Sequence, residues 1–165
     1  MGKWVGVIKK VFLFFITFFF LSTLFDYIRA PKLPDTRLPR LSGHTLQGES
    51  LKILLGKSGP LLIQFWGTWC PVCRQEIDNI ERVARHYPVL TIAVESGSDA
   101  EIRQWMKKRG VDFPVLSDPS GRLAKRFGVS VYPTSFIYDS RGTLKFTLTG
   151  YTTTLGLLAR LKLAE

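Results

Sequence analysis

An α/β sandwich with mixed strands is the fold class this chain predicts, and three observations carry it. Residues 61–67, LLIQFWG, form an apolar run of strand type. Residues 88–96, PVLTIAVES, form a second run, rich in branched side chains. Between them Cys73, Ile77, Ile80, Ala84 and Tyr87 recur at steps of four, three, four and three, which places them on one face of a helix that Pro88 closes. Strand, turn, helix and strand in that order make a βαβ unit, whose two strands pair in parallel.

The later elements follow the same logic. Asp99 reads as a helix N-cap before AEIRQWMKKR, which puts Ile102, Trp105 and Met106 on one face and ends at Gly110. FPVLSD (113–118) is a short extended segment, and Asp118 caps a brief helix in PSGRLAKRFG. TSFIYD and LKFTLTG are strands separated by SRG, so they form a hairpin. TTTLGLLARLKLAE is a terminal helix with Leu155, Leu158, Leu161 and Leu157 turned inward.

A length of 165 residues fits one domain with an appendage, and 45% apolar residues suffice for a core. The appendage is the N-terminus. Lys3, Lys9 and Lys10 lead into an uncharged run from Val11 to Phe25 that extends to Ile28 across Asp26. Six phenylalanines between Phe12 and Phe20 leave no polar face for a core helix. The run is slightly short of the roughly 17–25 residues of a spanning helix, but Tyr27, Arg29 and Lys32 supply interfacial anchors. STLFDY offers no small-residue cleavage site, so residues 11–28 read as a retained signal anchor rather than a cleaved signal. Residues 1–10 then lie in the cytoplasm. Residues 29–40, with three prolines and four basic residues, form a semi-rigid linker, and residues 41–165 form the folded domain outside the cytoplasm.

Both cysteines of the chain, Cys70 and Cys73, lie in the turn and first helical turn of the βαβ unit. A bridge between them closes too short a loop to constrain the unfolded chain, so a purely structural disulfide explains little. A zinc site needs four ligands, and only His44 and His86 remain, neither in a ligand-spaced motif. They read as surface residues and no metal ligand set is expected, although a thiolate pair also suits Cu(I). A redox pair fits best. Cys70 sits at a helix N-terminus, where free N–H groups and the helix dipole favour a reachable thiolate. Pro71 suits the first helical position, where no N–H is needed. Cys73 lies one turn in, on the apolar face, as the resolving thiol. Trp66 and Trp69 flank the pair, shielding the sulfur and offering an apolar landing surface.

FWGTWCPVC, the distal VYPT at 131–134 and the βαβ order resemble the thioredoxin superfamily. The N-terminal anchor and the CxxCxxE pattern ending at Glu76 resemble its membrane-tethered, TlpA-like branch, and GTWCPVCRQEIDNIE is similar to the copper-sensitivity suppressor and cytochrome c maturation thioredoxins. The resemblance covers residues 41–165. It implies a thioredoxin-like fold, a central mixed sheet flanked by helices. It also implies that Pro133 is cis and that Tyr132 pairs through its backbone with a substrate segment, with Trp69 beside them. A trans proline entering a strand is the competing reading. Thioredoxins commonly carry a buried acid six residues before the first cysteine, where this chain has Gln64. An amide cannot accept a proton from Cys73. Glu76, one helical turn beyond Cys73, is the candidate proton acceptor, and a solvated carboxylate is the alternative.

Pro71 and Val72 add no charge to the thiolate, which argues against a strong oxidant. The peroxidatic threonine-to-cysteine spacing is absent around Thr68, and no separate dimerisation region supports an isomerase. Residues 31–165 carry 19 basic against 12 acidic side chains, a net of +7, but no nucleic-acid recognition motif accompanies the charge. The expected protein is therefore an anchored monomeric thiol–disulfide oxidoreductase of a bacterial inner membrane, facing the periplasm. It needs no cofactor beyond the Cys70–Cys73 disulfide, acts on protein thiols and disulfides, and takes electrons from a transmembrane donor. Its expected setting is copper tolerance or cytochrome c maturation. A dithiol oxidase of the same fold and a Cu(I)-binding chaperone using the same cysteines are the alternatives.

Overall fold

The computed structural model describes residues 36–52 and 59–165, together with Thr17. The chain divides into two compact units, Met1–Ala30 and Pro31–Glu165, and the description below concerns the second. The expected cytoplasmic N-terminus, the expected anchor at 11–28 apart from Thr17, and the expected linker up to residue 35 lie outside the described residues. Among the described residues no helix is long and apolar enough to cross a membrane.

The elements run β1 (Leu61–Trp66), α1 (Pro71–Ala84), β2 (Val89–Val94), α2 (Asp99–Arg109), β3 (Val115–Asp118), α3 (Arg122–Arg126), β4 (Thr134–Tyr138), β5 (Leu144–Thr149) and α4 (Thr154–Leu163). They build one five-stranded sheet in the order β3-β2-β1-β4-β5. β1 pairs in parallel with β2, and β2 with β3. β4 runs antiparallel to both β1 and β5. β1 and β2 are buried along their whole length, which is why they read as unbroken apolar runs.

Alternation along β1 divides the core. Leu62 and Trp66 face a cluster containing Ile77, Ile80 and Val83 of α1, Ile102 and Met106 of α2, and Leu157 and Leu161 of α4. Leu61, Ile63 and Phe65 face a second cluster with Leu90, Ile92, Phe127, Phe136 and Tyr138. Gln64 shares the parity of Leu62 and Trp66, so the period of the strand directs this amide toward the side of α1. Ile80 is fully buried, and trimming such a side chain to alanine costs about 2–5 kcal/mol.

Several local expectations need correction. The N-cap of α2 is Ser98, not Asp99: Ser98 Oγ accepts from Glu101 N at 3.3 Å while Ser98 N donates to Glu101 Oε2 at 2.7 Å. This reciprocal box satisfies two N–H groups, whereas Asp99 takes the first helical position. Asp118 does not cap α3 from the adjacent position, which Gly121 occupies in the left-handed region at φ 65°. Its carboxylate instead accepts from Ala124 N at 3.0 Å. On α4 the buried pair is Leu157 and Leu161, one helical repeat apart, while Leu155 is 77% exposed. The last part of the linker segment also has fixed partners. Leu38 N donates to Gly142 O at 2.8 Å and Leu144 N to Thr36 O at 2.7 Å, so residues 36–38 run along the β4–β5 turn.

Candidate active site

The βαβ crossover places the two cysteines at the N-terminus of α1, beyond the carboxyl end of β1. Cys70 is the N-cap, with extended backbone (φ −84°, ψ 116°), and its side chain accepts from Cys73 N at 3.2 Å. The sulfur thus holds the position that a hydroxyl or carboxylate oxygen takes at other helix starts, where unpaired N–H groups and the helix dipole favour negative charge. Pro71 follows at the first helical turn. Cys70 and Cys73 are joined as a disulfide, with Cα atoms 5.3 Å apart. Cys73 is 1% exposed and Cys70 only 4%, so in this oxidised form the outer cysteine is nearly as covered as the inner one.

Three loops close around the pair. Tyr132–Pro133 is a cis peptide bond. Its Tyr132 carbonyl oxygen lies 3.7 Å from Cys70 Sγ, and Pro133 O accepts from Gly150 N at 2.8 Å. The Trp69 ring meets the Tyr132 ring edge to face at 5.4 Å, and Trp69 Nε1 donates to Val94 O at 3.1 Å. Trp69 is half exposed, and Val72 and Tyr151 also expose apolar surface. Trp66 packs in one buried cluster with both cysteines, but it does not offer the expected landing surface. It is fully buried, 5.0 Å from the Trp105 ring, because its place on β1 turns it into the core. Burial raises the Tyr132 hydroxyl above its ordinary value, and the charges of Glu95 and Asp118 add to the effect.

Behind the disulfide lies a buried polar group that α1, β1 and the segment after β5 assemble together. Glu76 is on the same face of α1 as Cys73 and is fully buried. Its Oε2 accepts from Gln64 Nε2 at 2.7 Å, and its Oε1 accepts from Thr152 N at 2.8 Å. Burial pushes the carboxyl up to about 7, against the lowering effect of these two hydrogen bonds. Glu76 is therefore not a solvated carboxylate. Gln64 is 1% exposed. Asn79, a turn beyond Glu76, donates to the Tyr151 hydroxyl and to Thr152 O, each at 3.1 Å, and accepts from Thr154 Oγ1 at 2.9 Å. It clamps the segment that carries the Thr152 donor. Neither Asn79 nor Thr152 stood out in the sequence. The available signal was phase, since Glu76 and Asn79 both interrupt the apolar stripe of an amphipathic helix.

His44 and His86 are exposed. Among the described residues no group of three or more His, Cys, Asp or Glu side chains could hold a metal ion.

The comparisons with known proteins agree with this geometry. The family model described as the AhpC/TSA family matches residues 30–147. A "Thioredoxin-like protein" of Haemophilus influenzae is 32% identical over 161 residues, covering 96% of this chain and 95% of that protein. The "Thiol-disulfide oxidoreductase ResA" of Bacillus subtilis is 30% identical over 122 residues, covering 72% of this chain and 63% of that protein. Among solved structures, a thiol:disulfide interchange protein of the thioredoxin family from Chlorobium tepidum superposes with a TM-score of 0.67 at 27% identity, covering 81% of this chain and 98% of that one. On the extent of the family match and of the Haemophilus relative, the chain belongs to the AhpC/TSA family, as a thioredoxin-like thiol–disulfide oxidoreductase of the TlpA-like branch.

Proposed function

We propose that this protein reduces protein disulfides outside the cytoplasm, tethered to a bacterial inner membrane by residues 11–28 and supplied with electrons by a transmembrane partner. The observation that carries the reading is the buried Glu76 carboxyl on the face of α1 that bears Cys73. A reductant must deprotonate its inner thiol to finish each turnover, and a carboxyl on that face, raised to about 7, supports Glu76 as the acceptor.

The Cys70 thiolate attacks one sulfur of a substrate disulfide, forming a mixed disulfide and releasing a substrate thiolate. The Cys73 thiol passes its proton to the Glu76 carboxylate. The Cys73 thiolate then attacks Cys70 Sγ, releasing the second substrate thiolate and leaving the Cys70–Cys73 disulfide. Two electrons have moved from the cysteine pair to the substrate, and the membrane partner returns them. Tyr132 and cis Pro133 shape the groove in which the substrate strand lies, and Trp69 gives it an apolar wall. The uncharged Pro71–Val72 link adds nothing to the stability of the reduced form, as suits a reductant. No cofactor enters the cycle. The working unit is a monomer without nucleic-acid contacts, and copper tolerance or cytochrome c maturation is the setting that the sequence resemblance favours.

Replacing Cys73 by Ser tests the order of attack. The full chain carrying Cys73→Ser should accumulate mixed disulfides in cells, and these should vanish when Cys70→Ser is added. Absence of any mixed disulfide in the single variant would remove the reading.

A further inference from the structure

Gln64 carries an unusual accounting in this site. Its Nε2 donates to Glu76 Oε2 at 2.7 Å, yet its own Oε1 is buried with no hydrogen-bond partner. Buried acceptors are seldom left in that condition, because desolvation is then uncompensated. The other oxygen of Glu76, Oε1, is fixed by Thr152 N at 2.8 Å. An oxygen that receives a main-chain N–H is the carbonyl oxygen of a carboxylic acid. When Glu76 takes up a proton, the proton therefore sits on Oε2 and faces Gln64. With the amide as it stands, donor would then meet donor.

We propose that Gln64 is a two-position partner for the Glu76 proton. Its Nε2 donates to the carboxylate, and a half-turn of the amide brings Oε1 round to accept from the carboxylic acid. Each position satisfies the carboxyl group and leaves one end of the amide unpaired, so the two states are closely matched. The exchange involves a proton only: Oε2 gains it from Cys73, and the amide turns to receive the new O–H. Gln64 is thus a positioning residue that acts through Glu76, and this role rests on the reading of Glu76 as the proton acceptor. A methylene chain here would strand the carboxylate, and an acid would compete with Glu76 for the same proton.

The groups that face Glu76 are few. On α1 the titratable neighbour of the same face is Cys73, held in the disulfide, while Arg74 and Asp78 are exposed. β1 contributes Gln64. The segment after β5 contributes Thr152, and beyond it Tyr151, whose hydroxyl is engaged by Asn79.

The test is an NMR titration of the oxidised full-length protein in detergent micelles, following the Glu76 side-chain carbon and the Gln64 side-chain NH2. Above the Glu76 midpoint, one Gln64 amide hydrogen should resonate downfield, bonded to the carboxylate. It should return to the position of an unbonded amide with the same midpoint as the carboxyl. In Gln64→Met, which takes a partner from both protonation states, the Glu76 midpoint should rise by well under the roughly one unit that loss of a donor to the carboxylate alone would cause. A Gln64 amide that keeps its position throughout the Glu76 titration overturns the proposal, as does a rise of about one unit or more in Gln64→Met, which marks a fixed donor to the carboxylate. If that variant does not fold, the wild-type amide signal decides alone. Neither readout involves thiol chemistry, so failure here is separable from failure of Glu76 as the acceptor.

Discussion

The main-chain N–H of Cys73 donates to Cys70 Sγ at 3.2 Å, so the outer cysteine caps the helix that the inner cysteine begins to fill. The relationship is asymmetric. Once the pair is reduced, charge on Cys70 is met by the helix N-terminus, whereas Cys73 faces the buried side of α1. We predict that limiting iodoacetamide at neutral pH modifies Cys70 before Cys73, by at least tenfold in rate. Peptide mapping by mass spectrometry after a short exposure reads the ratio, and equal labelling would remove the asymmetry.

Gly67 is packed against Trp69. A Cβ added at Gly67 would lie 2.6 Å from Trp69 Cε2 and Nε1, too close for the indole to stay. Gly67→Ala should turn the ring out of the groove and break its hydrogen bond to Val94 O. The expected result is a several-fold rise in KM for a protein disulfide with a smaller change in kcat, because the cysteines themselves are not displaced. Trp69→Ala should reproduce it. A loss confined to kcat in both variants would assign Trp69 another role.

Glu76 ties stability to pH with a definite sign. Its value rises from 4.5 in the unfolded chain to about 7 in the folded one. Between those values the folded protein keeps a proton that the unfolded chain has released. Stability from this group is therefore fully present below pH 4.5 and falls as pH rises, until it is lost above about 7. The difference corresponds to roughly 3 kcal/mol. Denaturant melts of the oxidised protein at pH 5 and pH 8 should reveal the loss. Glu76→Gln, whose amide can still accept from Thr152 N, should flatten it. The same variant should slow resolution of a Cys70 mixed disulfide on the order of 10²-fold, a typical contribution from a positioned base.

Asn79 holds the chain segment that supplies the Thr152 donor. Asn79→Ala leaves that segment unclamped and removes three hydrogen bonds. Stability should fall by about 1–3 kcal/mol, and the Glu76 midpoint should move upward as the Thr152 N–H loosens. Thermal melts and the carboxyl titration check the two effects separately.

Much of this was legible locally. The β1–α1–β2 unit followed from periodicity, because buried parallel strands and an amphipathic helix leave different marks. Gly110 ended α2 as its left-handed conformation requires. The errors arose where neighbouring residues compete for one role. Ser98 displaced Asp99 because only Ser98 stands three residues before Glu101, and Leu157 displaced Leu155 because the sheet selects one stripe of a leucine-rich helix. The buried polar group was only half visible. Glu76 could be named from its place one turn after Cys73, but its burial depends on Thr152 and Asn79 meeting it across more than seventy residues of chain. No local pattern encodes that meeting.

The most direct test of the central claim is the resting redox state of Cys70 and Cys73 in living cells. Acid quenching followed by alkylation with a mass-tagging reagent reads it from a gel. A reductant fed from the membrane should be found mostly reduced, although its compartment is oxidising, and should become oxidised when the donor is removed. A pair that is mostly oxidised in growing cells with the donor present would contradict the account and make the protein an oxidase.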